Sequence, residues 1–250
     1  MEGINIAVLD AATLGDDISF GQFEKFGRVD VYERTDTRQI RFRVMDADVI
    51  IVNKIRINES TVGEAKRLKL ICVTATGFDN IDLDMCRRRA IAVANVRGYS
   101  SQSVAQVTVA LALSLVNHIP SYDRYVKDYS YSRSGVQNHL KPVFHELSSL
   151  TWGIVGLGGI GLRVAEAAKA LGCEILAFKR RPDPLYKCVK LEELCRRSDI
   201  ISIHLPLNDI TRGIISAERI AEMKPGAVVV NAARGAVTDE AALAAAVADG

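Results

Sequence analysis

Residues 151–184 read TWGIVGLGGIGLRVAEAAKALGCEILAFKRRPDP. An apolar run, TWGIV, leads into GLGGIG. Residues 159–171 then carry helical spacing before a second apolar run, CEILAFK. Strand, glycine loop, helix and strand in that order form a βαβ unit, which requires a parallel sheet. Each glycine of the loop has a physical task. Gly156 permits the tight turn, Gly158 lets backbone approach a pyrophosphate, and Gly161 lets helix and strand pack closely, while the helix N-terminus at Gly159 and Ile160 faces the anion. Dinucleotide binding is the expected use of such a loop in this context.

The next landmark is the end of the second strand. A site that prefers NAD places Asp or Glu there, about 20 residues on, to bind the adenosine ribose hydroxyls. This chain places Lys179, Arg180 and Arg181 there. A carboxylate would repel a 2′-phosphate, whereas any of these cations can pair with it at about 1.5–3 kcal/mol per charge-assisted bond. NADP is therefore the preferred cofactor. NAD remains possible, because the same three cations also suit a solvated strand exit.

Outward from this unit the alternation continues. After it come a helix in LEELCRRS, a strand in DIISIHL, a helix in SAERIAEM, a strand in AVVVN and a helix in DEAALAAAV. Upstream, short β-branched runs recur at 4–9, 29–32, 48–52, 70–74 and 91–96, with helix-like segments such as 59–68 and 82–89 among them. Residues 101–119 form a long apolar helix opened by hydroxyl residues that can cap it, and its hydrophobicity suits burial between domains or subunits. Residues 122–149 show little periodicity and read as an extended arm. The basic triplet 87–89 closes a helix and reads as a solvated face.

Composition narrows the function classes. The 250 residues are 48% hydrophobic and 25% charged, enough for about two ordinary domains. A formal net charge of +2 offers no basic face for nucleic acid. Five cysteines without a CxxC pair suggest reduced thiols, a cytoplasmic location and no metal site. No apolar run reaches membrane-spanning length.

Five ordered segments together resemble the D-isomer-specific 2-hydroxyacid dehydrogenases. They are TATGFDNIDLD (74–84), GYSSQSVAQVTVALAL, TWGIVGLGGIGLRVA, SDIISIHLPLNDITRGII (198–215) and MKPGAVVVNAARGAVTDEAAL (223–243). The resemblance spans essentially the whole chain. It implies an α/β protein of two Rossmann-like, doubly wound parallel-sheet domains: a flavodoxin-like substrate domain over 1–98, and an NAD(P)-binding domain over 99–250 that includes the interdomain helix and is incomplete at its C-terminal end.

The resemblance also assigns roles. Arg234 of NAARG matches the catalytic arginine that holds the substrate carboxylate and polarises the adjacent carbonyl, a structural salt bridge being the alternative. Amides of Ala75, Thr76 and Gly77 would bind that carboxylate, with Thr76 also facing the nicotinamide. Lys54 would add positive charge there or be a surface lysine. Thr108 would lie near the cofactor or bond its own helix backbone. His204, Leu205 and Pro206 would line the adenosine, Thr211 would reach toward phosphate, and Ala232 and Ala233 would flank the cofactor beside Arg234. His118, His139 and His145 match no catalytic position and read as structural.

Family chemistry transfers hydride between nicotinamide and C2 of a 2-oxo or 2-hydroxy acid, while a histidine paired with a glutamate exchanges the proton. Both residues are expected beyond Gly250, so the chain reads as a truncated enzyme and residues 1–250 alone are expected to be inactive. The closest branch is glycerate dehydrogenase or hydroxypyruvate reductase, reducing hydroxypyruvate or glyoxylate to D-glycerate or glycolate. The alternatives are D-lactate or another 2-oxo acid, a formate or phosphite dehydrogenase of the same superfamily, and a dinucleotide-sensing binding protein like the family's corepressor relatives. The implied partners are a small-molecule substrate and a second copy of the chain in a homodimer, with no membrane and no nucleic acid.

Overall fold

A computed structural model of the chain describes residues 3–249; Met1, Glu2 and Gly250, including the point at which the chain stops, lie outside the described residues. The chain divides into two compact units, Met1–Tyr99 and Ser100–Gly250.

The first unit comprises β1 (Ile4–Val8), β2 (Gly27–Val31), α1 (Thr37–Val44), β3 (Val49–Val52), α2 (Glu59–Val62), β4 (Leu70–Val73), α3 (Leu83–Arg88) and β5 (Ala92–Asn95). Its strands form one parallel sheet in the order β2-β1-β3-β4-β5, the flavodoxin-like order. Alternation along β3 sends Ile50 and Val52 into the core shared with Ile40, Val44, Ile71 and Met85, and Ile51 to the opposite face beside Ile6, Val8, Phe20 and Phe23. Each such aliphatic burial stabilises by about 1.5–3 kcal/mol. That second face also carries an open apolar groove of about 720 Å³, lined by residues including Ile6, Phe23, Ile51 and Cys72. It runs along the sheet and reaches the carboxyl ends of β4 and β5 at Thr74, Asn95 and Val96.

The second unit comprises α4 (Ser101–Val116), α5 (Ile119–Lys127), α6 (Ser130–Ser134), β6 (Thr151–Val155), α7 (Gly159–Ala170), β7 (Glu174–Phe178), β8 (Lys187–Cys188), α8 (Leu191–Arg197), β9 (Ile200–Ile203), α9 (Ala217–Ala221), β10 (Val228–Asn231) and α10 (Glu240–Asp249). Its parallel sheet runs β10-β9-β6-β7-β8, so strand order reverses at β6 and β9, where a doubly wound sheet opens its ligand crevice. The expected fold class of two doubly wound α/β sheets is observed. Trp152, Ile154, Val164 and Ala168 fill one side of this sheet, and Leu194, Ile201, Ile203 and Ile215 the other.

Three expectations need correction. The helix expected over 59–68 ends at Val62, because the Arg89 guanidinium takes the carbonyls of Val62 and Ala65 at 2.7 and 2.8 Å, acceptors that a longer helix would use itself. Arg89 is thus a helix terminator, and only Arg87 and Arg88 of the basic triplet form an exposed face. The segment expected as an extended arm begins as helices α5 and α6. Asn117 Nδ2 donates to Leu113 O at 2.9 Å and closes α4, His118 turns the chain at φ 50°, and Pro120 opens α5, where its missing N–H costs nothing. The rest of the arm folds back on α5: the His139 ring stacks on Tyr125 at 3.9 Å, Tyr122 donates to Pro142 O at 3.0 Å, and His118 Nε2 meets Val143 O at 3.1 Å.

Candidate active site

The loop after β6 has the geometry that a bound dinucleotide needs. Gly156 has φ +101°, and a Cβ there would lie 3.0 Å from the His204 carbonyl and 2.9 Å from Leu205 Cδ2. Only glycine fits that conformation and that approach to the end of β9. At Gly161 a Cβ would sit 2.2 Å from Gly156 O, so α7 starts in direct contact with the turn that precedes it. Gly158 is the opposite case, since a Cβ there meets no protein atom within 4 Å. The space in front of it is open, and the first-turn amides of Gly159, Ile160 and Gly161 have no intrahelical acceptor. Open space faced by such amides fits a pyrophosphate. Ser101 Oγ, which opens α4, stands 3.3 Å from the Cβ position of Gly159 and adds a hydroxyl that the motif alone did not identify.

The strands beside this loop end in polar groups. After β7, Lys179 Nζ pairs with Asp183 Oδ2 at 2.9 Å, and that hydrogen bond, together with the Leu185 amide on Oδ1 at 3.1 Å, holds the Asp183 carboxyl below the usual carboxylate range. Arg180 and Arg181 are exposed and make no ion pair among the described residues. After β9, the Trp152 indole N–H donates to Ser202 Oγ at 3.0 Å, and Ser202 Oγ lies 3.0 Å from His204 Nε2. Burial lowers the His204 pKa to about 4, so the ring is neutral near pH 7. With Ser202 accepting from Trp152, its own proton is directed to Nε2, which assigns the ring proton to Nδ1. Nδ1 is buried and has no partner in the protein.

Leu205 and Pro206 continue from His204. Thr211 is buried and closes this turn, its hydroxyl donating to Pro206 O at 2.5 Å and accepting from the Asn208 amide at 2.9 Å. That donated proton goes to the turn. Thr108 likewise donates to Val104 O within α4 at 2.8 Å and is fully buried.

Beyond β10, Asn231 organises the turn that carries Ala232, Ala233 and Arg234. Its Oδ1 accepts from the Ala233 amide at 3.0 Å, and its Nδ2 donates to Arg234 O at 3.0 Å and to Thr238 Oγ1 at 3.3 Å. Arg234 Nη1 donates to Ala233 O at 3.1 Å. The residue type was visible in NAARG, but its bonds across the turn were not. The glycine loop, the cations after β7, His204 and Arg234 all lie at the carboxyl ends of one sheet.

In the first unit, Asp10 occupies the corresponding reversal of strand order. Its buried carboxylate accepts from the Asn53 amide at 2.9 and 3.2 Å and from the Lys54 amide at 2.7 Å, fixing the turn from which the exposed Lys54 projects. The loop after β4 is tied to the end of β5. Thr76 Oγ1 donates to Val96 O at 2.8 Å, Asn95 Nδ2 to Thr76 O at 2.8 Å, and the Val96 amide to Ala75 O at 3.2 Å. Among the described residues, no bond outside the helices and strands uses the amides of Ala75, Thr76 and Gly77 as donors. They can bind an anion.

The five cysteines are free thiols. Burial raises the pKa of Cys195 to about 11 and raises Cys72, Cys86 and Cys173 as well, which disfavours the nucleophilic thiolate. No group of three metal-ligating side chains occurs among the described residues.

The two inner glycines separate binding from folding. Gly158→Ala is expected to keep the wild-type melting temperature and to lose about tenfold or more in dinucleotide affinity. Gly161→Ala, forced against Gly156 O, is expected to lose at least about 1–3 kcal/mol of stability to urea. A Gly158→Ala protein that binds dinucleotide as tightly as wild type would contradict this assignment of the loop.

Residues 109–250 match the family described as D-isomer specific 2-hydroxyacid dehydrogenase, NAD binding domain. A glycerate dehydrogenase of Methylorubrum extorquens is 34% identical over 220 residues, covering 88% of this chain and 69% of the relative. Among solved structures, an acyclic imino acid reductase in complex with NADPH and D-Arg aligns with a TM-score of 0.88 at 28% identity, over 98% of this chain and 80% of its own. The D-lactate dehydrogenase of Aquifex aeolicus, complexed with NAD and lactic acid, aligns with a TM-score of 0.85 at 30% identity, over 98% and 74%. The family match covers more than half of the chain and takes in the glycine loop and the Arg234 turn, and the chain belongs to the D-isomer-specific 2-hydroxyacid dehydrogenases, oxidoreductases that act on the CH–OH group of donors.

Proposed function

We propose that the protein is an NADPH-preferring 2-oxo acid reductase that converts hydroxypyruvate or glyoxylate to D-glycerate or glycolate. The observation that carries this reading is the set of groups at the carboxyl ends of the second sheet: a glycine loop after β6, cations and no free carboxylate after β7, and Arg234 after β10. The substrate follows the 34% identical glycerate dehydrogenase.

In this reading Gly156, Gly158, Gly159, Ile160 and Gly161 hold the pyrophosphate, and Thr108, His204, Leu205, Pro206, Thr211, Ala232 and Ala233 line the cofactor. The cations after β7 take the 2′-phosphate. When bound, the nicotinamide supplies the hydride to C2. The Arg234 fork pairs with the substrate carboxylate and withdraws charge from the neighbouring carbonyl as it develops negative charge. The amides of Ala75, Thr76 and Gly77 hold a carboxylate oxygen, and Lys54 adds positive potential. His204 is neutral and bonded into the sheet, and His118 and His139 are bonded into the arm. Proton exchange is assigned to none of these histidines.

The protein acts in this reading as a cytoplasmic homodimer. Val107, Leu111 and Leu115 form a stripe one turn apart on α4 and are 54%, 48% and 51% exposed, an apolar face suited to a second copy. No single helix among the described residues is long and apolar enough to cross a membrane.

Steady-state kinetics of the full-length protein test the reaction. The expected kcat/KM for hydroxypyruvate exceeds that for pyruvate, and NADPH exceeds NADH by about tenfold or more. Arg234→Ala is expected to lower kcat/KM by roughly 10²–10³. A higher kcat/KM with NADH would reduce the cations after β7 to a solvated edge. Light scattering at micromolar concentration is expected to return twice the chain mass, and a monomer would refute the dimer.

A further inference from the structure

The three cations after β7 are not equivalent. The Asp183 side chain is only 9% exposed, and both its oxygens are engaged, Oδ2 by Lys179 Nζ at 2.9 Å and Oδ1 by the Leu185 amide at 3.1 Å. Moving Lys179 to a ligand would leave this covered carboxylate without its counter-charge, which is unfavourable. Arg180 and Arg181 have no such commitment among the described residues and are exposed beside the pair. A guanidinium also matches a phosphate with two parallel N–H bonds, whereas an ammonium acts as a point charge.

We propose that Asp183 is a specificity-determining residue of the cofactor pocket: by holding Lys179 it withdraws one cation from the adenosine corner and leaves recognition of a 2′-phosphate to Arg180 and Arg181. This rests on the reading that the adenosine ribose lies at the exit of β7. Asp183 is thereby committed to its own loop, its charge already balanced by the Lys179 ammonium and its other oxygen held by the Leu185 amide. The cofactor preference of this chain is set by two guanidiniums and is moderated by one carboxylate.

The probes are 2′,5′-ADP and 5′-AMP, which differ only in the 2′-phosphate, titrated calorimetrically into the full chain in roughly 0.5 M salt to screen charges beyond contact distance. Wild type is expected to bind 2′,5′-ADP more tightly than 5′-AMP, and Arg180→Gln with Arg181→Gln to lose about tenfold for 2′,5′-ADP alone. Asp183→Asn keeps an acceptor for the Leu185 amide but releases Lys179, so 2′,5′-ADP affinity is expected to rise about fivefold with 5′-AMP unchanged. That gain is expected to vanish in Asp183→Asn/Lys179→Met. A gain cannot come from misfolding, and unchanged 5′-AMP binding checks the fold of each variant.

If wild type binds both probes equally, the 2′-phosphate reading fails and this proposal with it. If wild type discriminates but Asp183→Asn gives no gain, or a gain that persists without Lys179, only the role of Asp183 is overturned. A tenfold loss in Asp183→Asn/Lys179→Met relative to wild type would also overturn it, because Lys179 would then be a direct ligand.

Discussion

The approach of α7 to the end of β6 is the constraint on which the second unit depends. Gly161 stands so close to Gly156 O that no side chain fits, and Gly156 in turn lies against the His204 carbonyl at the end of β9. Three elements therefore converge at the point where strand order reverses. Widening this contact would separate α7 from β6 and lose the burial of Val164 and Ala168 against Trp152 and Ile154. The same contact aims the free amides of the helix N-terminus into open space before Gly158. The close packing and the open approach to the helix N-terminus have one origin.

The two units treat the same topological feature in opposite ways. In the first, the reversal at β1 and β3 is filled by Asp10, whose carboxylate accepts the amides of Asn53 and Lys54. Its unused backbone donors appear one strand further along, at Ala75, Thr76 and Gly77. In the second, glycines keep the reversal open and polar groups stand around it: His204 neutral and bonded to Ser202, Lys179 bound to Asp183, and Arg234 on a turn shaped by Asn231. A carboxylate at Gly158 would bring negative charge to the pyrophosphate position. At Asp10 the carboxylate is balanced by the backbone amides of Asn53 and Lys54, which accounts for its place in the turn.

What could be read from the sequence was local. β-Branched runs and a glycine loop carry their meaning within a few residues, so the strands, α7 and the family motifs were legible. Asp10 was not, because its partners lie 43 and 44 positions away. Arg89 was not, because its acceptors lie 27 and 24 positions upstream. The helices at the start of the arm were not, because the left-handed turn at His118 that separates α4 from α5 leaves no mark in the apolar pattern of 101–119. Lys179 was visible as a cation but its pairing with Asp183 was not. A cluster of like charges on the page does not show which member a nearby acid will hold.

Hydrogen–deuterium exchange of the full chain with and without NADPH tests the central claim, that the cofactor is held at the carboxyl ends of the second sheet. Protection is expected in residues 156–161, 180–185, 204–211 and 232–234, with the opposite ends of those strands unchanged. Protection confined to other segments, with no change at 156–161, would contradict the account.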